Sequence, residues 1–222
     1  MAEVEELVKA LKLGSESWWR MGDTSGDIRN ELASKGGKAI EPLAEVLKDK
    51  GQPPVAREGA AQIFKKMAWE GTVGKISQKH REVMVDAIVA GLGDANFEVY
   101  STCARTLTSL ASDGLVNPVN PVLKEMAVKG LVSISLQEKI GAWAVEGLNK
   151  IDYSNISRGT RKQAIDALNT FIDKQADNDH FWADRAAETI EKIKKSASRD
   201  VSAKPAEEKI KESMKKKKVK NF

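Results

Sequence analysis

Apolar residues recur along this chain with a spacing that predicts helices rather than strands. Four segments open on a small residue, continue with a second small apolar residue, and carry larger apolar residues four and seven positions later. They begin at Ala60, Cys103, Ala144 and Ala186, which are 43, 41 and 42 residues apart. With the opening residue numbered 0, positions 0, +1, +4 and +7 fall on one side of an α-helix. The pattern therefore predicts a helical repeat of about 42 residues.

A second apolar helix precedes each of these segments. Its stripes are Ile40-Leu43-Ala44-Leu47, Val85-Ile88-Val89-Leu92, Ala127-Leu131-Ile134 and Ile165-Leu168-Phe171-Ile172. Turn-forming residues separate the two helices, as in residues 51–54 and 93–96, although residues 133–135 leave little room for a turn in the third repeat. Each repeat is thus predicted to be a hairpin of an A helix and a B helix, with Pro42 in the first turn of its A helix.

The first 36 residues predict a fifth, less regular unit. Residues 3–13 form one helix in this prediction, and Ile28 and Leu32 belong to a second helix that ends at Gly36-Gly37. Gly22 and Gly26 argue for a break or kink between them. Because one hairpin cannot bury its apolar side alone, the expected fold is all-α, a right-handed α-solenoid of about five hairpins over residues 1–196.

The charge is concentrated at one end of the chain. The net charge of the 222 residues is +4, but residues 197–222 hold nine basic and four acidic groups, so residues 1–196 carry −1. Because this segment has few large apolar residues, it is predicted to be a basic, disordered tail. It could also attract nucleic acid or an acidic protein, or act as a nuclear import signal. Its candidate electrostatic residues are Lys215, Lys216, Lys217, Lys218 and Lys220.

Composition and motifs exclude several classes of protein. One cysteine excludes an internal disulfide, no apolar run approaches the roughly 20 residues of a membrane helix, and the acidic start is unlike a signal peptide. We therefore expect a cytoplasmic protein with no membrane partner. The two histidines and Cys103 have no metal-ligand spacing, and residues 69–76 lack the glycine and the hydroxyl of a phosphate loop. We expect no catalytic residue, metal or cofactor, and a buried Cys103.

The repeats resemble those of a known family. The run Gly37-Lys38-Ala39-Ile40-Glu41-Pro42-Leu43-Ala44-Glu45-Val46-Leu47-Lys48-Asp49, followed by Val55-Ala56-Arg57-Glu58-Gly59-Ala60-Ala61, is similar to HEAT repeats, in particular the lyase-type HEAT-like repeats. The resemblance covers about residues 3–195. It implies a stack whose B helices line a concave surface, in proteins that serve as scaffolds, adaptors, regulators and occasionally nucleic-acid-binding enzymes.

The concave surface implied by this resemblance is predicted to carry mixed charge. Positions −5, −2, −1, +2 and +6 of the four B helices point away from the core and hold six basic and five acidic residues. A groove for duplex nucleic acid should be plainly basic, so this balance favours a protein partner. Trp143 could anchor that partner, or it could pack against the neighbouring repeat. The candidate partner-binding residues are Trp143, Arg185, Arg105, Phe181, Lys66 and Glu146.

Three functional hypotheses follow. The first is a non-enzymatic scaffold or adaptor that binds a protein on its concave surface. The second is a nucleic-acid-associated protein, resembling the HEAT-like DNA glycosylases, whose lysine-rich tail contributes electrostatic attraction. The third is an accessory protein resembling the bilin lyases, which rests on the style of the repeats alone.

Overall fold

The helices of the computed structural model follow the predicted hairpins. The structure describes residues 2–13, 24–70, 75–112, 115–137, 141–175 and 180–197, and these residues contain no β-strand. The helices are α1 (Ala2–Lys12), α2 (Thr24–Ser34), α3 (Gly37–Lys48), α4 (Pro54–Trp69), α5 (Gln78–Gly91), α6 (Phe97–Ser112), α7 (Pro121–Ser135), α8 (Gly141–Lys150), α9 (Arg158–Gln175) and α10 (180–197). Odd-numbered helices are the A helices and even-numbered helices are the B helices.

Local sequence explains where several of these helices begin. Pro54 is the first residue of α4, where its missing N–H costs no helical hydrogen bond. The Ser77 hydroxyl accepts a hydrogen bond from the His80 backbone N–H at the start of α5, at 3.3 Å. The Asn120 side chain caps α7 by accepting from the Leu123 N–H at 3.0 Å. Such caps satisfy backbone donors that the first helical turn leaves unpaired.

The hairpins stack in two layers. Each A helix contacts the next, in the order α1, α3, α5, α7 and α9, and the B helices α2, α4, α6 and α8 do the same. Arg185 of α10 donates a hydrogen bond to Glu146 of α8, and Asn149 of α8 donates one to Thr189 of α10, so the B layer extends to the last described hairpin. Two parallel layers of consecutive hairpins are the architecture of an α-solenoid, so the predicted fold class and its five hairpins are confirmed.

The predicted repeat columns form the core between the two layers. Ala60, Cys103, Ala144 and Ala186, the four residues at position 0, are fully buried. The residues at positions +4 and +7 are buried as well, namely Phe64, Leu107, Leu148, Ile190, Met67, Leu110, Ile151 and Ile193. Ala187 at position +1 is exposed, unlike its buried counterparts in the other repeats, because no described B helix packs on the outer side of α10.

Three local predictions need comment. Pro42 is the sixth residue of α3 rather than part of its first turn, so the Lys38 carbonyl lacks its usual donor four residues later. Gly26 lies inside α2 and not in a break. The helix α7 ends at Ser135 and α8 begins at Gly141, so the turn of the third hairpin is not confined to residues 133–135. Gly22 and the tail lie outside the described residues.

No described helix combines the length and the apolar character needed to cross a membrane.

Candidate functional site

A groove of about 450 Å³ lies on the solvent side of the B helices, between α2, α4 and α6. We call the solvent-facing side of α2, α4, α6, α8 and α10 the B-helix surface. The lining of the groove includes four basic and three acidic side chains and one tryptophan, Trp69. Neither histidine nor the cysteine lines it. The predicted mixed charge is therefore present in the groove itself.

Trp69 is the most exposed tryptophan of the described residues and was missed by the sequence analysis. Its side chain is 67% exposed at the C-terminal end of α4. The Lys65 ammonium lies 4.6 Å from its ring centroid, and its indole N–H donates to the Ser109 hydroxyl of α6 at 3.2 Å. Trp69 is at position +9, two helical turns beyond +2, and so shares the direction of the predicted surface positions. Extending the helical period of the B helices beyond position +7 would have identified Trp69 as a surface residue.

Trp143 lies at the start of α8 and is 48% exposed. The Arg105 guanidinium of α6 lies 5.8 Å from its ring centroid, within range of a cation–π interaction. The structure therefore brings together two of the predicted binding residues. Trp143 is partly exposed, as an anchor for a partner would be, and it also contacts the preceding repeat. Both environments considered from the sequence, exposed and packed against a neighbour, therefore apply in part.

Arg185 was expected in the same column as Trp143, but it pairs with carboxylates. Its guanidinium donates to both oxygens of Glu146 on α8, at 2.9 and 3.2 Å, and to Glu188 at 2.6 Å. Hydrogen bonds to Glu146 and then Glu188 raise the pKa of Arg185, and the hydrogen bond from Arg185 lowers the pKa of Glu146. Two further predicted residues, Arg185 and Glu146, thus form one half-buried ion pair.

These contacts reveal the register of neighbouring B helices. Trp143 and Arg185, both at position −1, contact position +2 of the preceding repeat, where Arg105 and Glu146 lie. Ser109 at +6 contacts Trp69 at +9. Residues that touch across neighbouring B helices therefore occupy different positions of their repeats. The sequence columns compared residues at the same position, which point in the same direction, and so paired Trp143 with Arg185 instead of Arg105.

The remaining predicted residues lie apart from this chain of contacts. Phe181 is 66% exposed on α10, and its ring packs edge-on against Trp182 at 5.1 Å. Lys66 pairs with Glu70, one turn further along α4, at 2.6 Å. The tail lysines Lys215, Lys216, Lys217, Lys218 and Lys220 lie outside the described residues.

Electrostatics in the groove differ between its two ends. Burial raises the pKa of Glu58, and the nearby Glu98 carboxylate raises it further, while a hydrogen bond from Gln62 at 2.5 Å acts in the opposite direction. Burial lowers the pKa of Lys65, and the neighbouring Arg105 charge lowers it further. One end of the groove therefore holds Glu58 and Glu98 with one cation, and the other end holds three cations with one carboxylate.

The described residues show no arrangement suited to a metal ion. No group of three or more His, Cys, Asp or Glu side chains among them could hold one. Cys103 is buried between α5 and α6, as predicted, and burial raises the pKa of its thiol to about 12. A thiol with this pKa is almost entirely protonated near pH 7 and is a poor nucleophile.

Comparisons with known proteins give no family. No family model matches the chain, and no curated protein matches it. An engineered protein of known structure is similar at 17% identity and a TM-score of 0.42, over 88% of this chain and 98% of that chain. A designed armadillo repeat protein in complex with the peptide (KR)4 matches at 14% identity and a TM-score of 0.40, over 86% and 99%. At these scores and identities the matches assign no function to this chain.

Proposed function

We propose that this chain is a non-enzymatic scaffold of HEAT type that binds a protein partner on its B-helix surface. Two helices per repeat support the HEAT type, since armadillo repeats contain three. We also propose that the array spans residues 1–196, with residues 1–36 as its first unit and residues 197–222 as an appended tail. The binding site of this proposal is the B-helix surface around Trp69 and Trp143.

The observation that carries the proposal is a pair of exposed tryptophans held in place by cations. Trp69 lies against Lys65 and donates to Ser109, and Trp143 lies against Arg105. Tryptophan and arginine dominate the binding energy of protein interfaces, and a side chain that is already oriented loses less entropy on binding. Tryptophans exposed and oriented in this way are suited to anchor a partner.

The charge of the groove supports a protein partner over a nucleic acid. Four basic and three acidic side chains line it. Binding along a duplex requires several phosphates to be neutralised, and each carboxylate in the path opposes that. A protein surface can complement both signs at once.

Affinity capture with matched baits tests this function. Baits are the wild type, the Trp69→Ala/Trp143→Ala double variant, and Val122→Ala, which truncates an exposed apolar side chain on the A helix α7. We expect a nuclease-treated lysate of the source cells to yield a protein that the wild type and Val122→Ala retain and the double variant loses. Each tryptophan should contribute about 2 kcal/mol, close to 30-fold in Kd.

Stability measurements separate binding from folding. Because both tryptophans are largely exposed, each alanine variant should change the free energy of unfolding by less than about 1 kcal/mol. A loss of about 3 kcal/mol would identify a core residue instead. Equal protein capture by all three baits contradicts the proposal, and so does capture of nucleic acid in place of protein from a lysate that has not been treated with nuclease.

A further inference from the structure

The groove between α4 and α6 is built from four facing pairs of residues, which we call rungs. On the solvent side of these helices, three contacts join a residue of α4 to the residue 40 positions later in α6. Trp69 donates to Ser109, Lys65 lies near Arg105, and Glu58 lies near Glu98. The rungs are Trp69/Ser109, Lys65/Arg105, Gln62/Thr102 and Glu58/Glu98. Seven of these eight side chains line the groove, and Ser109 joins it through its bond to Trp69.

Two of these rungs bring like charges together. Arg105 lies close enough to disfavour the charged form of Lys65, and Glu98 does the same to Glu58. Between α8 and α10, by contrast, opposite charges meet, because Arg185 pairs with Glu146 at 2.9 Å. Like charges held opposite each other repel, and an oppositely charged group between them would relieve this repulsion.

Among the described residues, no carboxylate forms an ion pair with Lys65 or Arg105 of the cationic rung. Lys65 faces the ring of Trp69 and Arg105 faces the ring of Trp143. The adjacent Lys66 is neutralised by Glu70 at 2.6 Å. This end of the groove therefore presents two positive charges beside two tryptophan faces.

The other charged rung is acidic. Glu58 and Glu98 carry two negative charges, and Arg29 of α2 offsets one of them. Gln62 links this end together, since it donates to Glu58 at 2.5 Å and accepts from Arg29. The groove thus has a positive end and a negative end.

The distance between the charged rungs matches an extended peptide. Seven residues separate Glu58 from Lys65 along α4, which is about 10 Å at the rise of an α-helix. An extended chain in the polyproline II conformation has three residues per turn and advances about 3.1 Å per residue, so residues three positions apart lie about 9 Å apart on one face. A peptide lying along the groove would place side chains three positions apart at the two ends.

We infer that the groove binds an extended segment of a partner protein that carries an acidic and a basic side chain three residues apart. The carboxylate lies between Lys65 and Arg105, and the cation lies between Glu58 and Glu98. Apolar side chains next to the carboxylate contact Trp69 and Trp143. This inference rests on the proposed function and specifies the chemistry of the partner.

Selection from a displayed library of random dodecapeptides tests the inference. The wild type should enrich peptides in which an acidic and a basic residue are three positions apart, within one position. Lys65→Glu/Arg105→Glu should instead enrich peptides that have basic residues at both positions. The control Lys9→Glu/Lys162→Glu reverses two exposed charges on the A helices α1 and α9, and should enrich the same peptides as the wild type.

Binding of one selected peptide, synthesised with a fluorophore, gives a second measurement that needs no charge reversal. Lys65→Gln/Arg105→Gln removes both charges while keeping long polar side chains. We expect its Kd for the wild-type-selected peptide to rise at least tenfold. An unchanged Kd overturns the inference.

The outcomes distinguish this inference from the proposed function. Selected peptides that depend on Trp69 and Trp143 but lack the charge pair would show that the dipolar groove is wrong while the scaffold function stands. If no peptide is enriched but a lysate protein is captured in a tryptophan-dependent way, the inferred peptide partner is rejected and the proposed function stands. Failure of both experiments rejects both proposals.

Discussion

At the scale of single residues, a buried ion pair joins α4 to the turn before α6. Arg57 donates to both oxygens of Asp94, at 2.8 and 3.0 Å, and the Asp94 side chain is 1% exposed. Burial raises the pKa of Asp94, but hydrogen bonds from Arg57, the Asn96 N–H and Lys50 together lower it by more than burial raises it. The pKa of Asp94 therefore lies below its ordinary value. Asp94 therefore stays charged and joins two repeats.

Removal of this carboxylate should be costly. Asp94→Ala leaves the Arg57 guanidinium buried without its counter-charge, and breaking such a pair typically costs about 3 to 5 kcal/mol. We expect a loss of at least about 3 kcal/mol in the free energy of unfolding, measured by urea denaturation at pH 7.

The matched control is Asp86→Ala, which breaks the half-exposed pair of Asp86 with Lys48. Exposed pairs contribute about 1 kcal/mol or less, so this variant should remain close to the wild type. If the free energy of unfolding of Asp94→Ala falls no more than that of Asp86→Ala, then another partner or water compensates the Arg57 charge in the variant.

At the scale of elements, Glu125 joins the A helices of two consecutive repeats. Its carboxylate on α7 accepts hydrogen bonds from the hydroxyls of Thr160 at 2.6 Å and Ser157 at 2.9 Å. Ser157 in turn caps α9 by accepting from the Thr160 N–H at 3.2 Å. The bonds from Thr160 and then Ser157 lower the pKa of Glu125 from 4.5 to about 2.

This lowered pKa predicts how stability depends on pH. A carboxylate with a lower pKa in the folded state contributes stability that is fully present above the unfolded value, 4.5, and disappears as pH falls to about 2. Glu125→Gln should therefore be less stable than the wild type at pH 7, and the difference should shrink between pH 4.5 and 2. Urea denaturation at a series of pH values measures this, and a difference that stays constant down to pH 2 contradicts it.

Close packing of α5 against α6 gives a second prediction for the elements. A methyl group at Gly91 would overlap the Cys103 sulfur and lie 3.4 Å from Leu47. Gly91→Ala should cost about 1 to 3 kcal/mol by overpacking. In a Cys103→Ala background the sulfur is gone, so the same change should cost less, with a coupling energy of at least about 0.5 kcal/mol.

Chemical denaturation of the four proteins in this double-mutant cycle measures the coupling. Gly93→Ala is the control, because a methyl group there would meet the Ala90 carbonyl oxygen only at an ordinary 3.5 Å. Additive effects of the two substitutions would mean that α5 and α6 separate freely.

The sequence predicted the helices and their buried faces, but not the fit between neighbouring helices. Burial follows the period of a single helix, so positions such as Phe64 and Leu107 could be assigned to the core. Which positions touch between neighbouring B helices depends on packing between repeats, and the period of a single helix does not describe that packing. Trp143 was therefore assigned the wrong cation, although its partial exposure and its place on the B-helix surface agree with the prediction.

At the scale of the whole molecule, the main helix contacts join each hairpin only to its neighbours. Stability in such a stack is close to a sum of terms for each repeat and each interface, so the end repeats can open without the centre. The last described interface is anchored by the buried Asn149, whose amide donates to the Thr189 hydroxyl at 3.0 Å. The backbone carbonyl of Asn149 also accepts a hydrogen bond from the Lys192 ammonium, and this bond remains when the Asn149 side chain is truncated to alanine.

Asn149→Ala should therefore loosen one end of the stack and leave its middle intact. Loss of the buried hydrogen bond typically costs about 1 to 2 kcal/mol, which corresponds to roughly tenfold faster amide exchange through local opening. Hydrogen exchange measured by mass spectrometry should show this increase in α9 and α10, with α3 to α6 unchanged. In a one-dimensional stack, a weakened terminal interface destabilises only the repeat beyond it. In a fully cooperative domain, the loss of stability would reach every helix. Equal acceleration in α4 and α10 would therefore identify a single cooperative unit and contradict independent opening of the repeats.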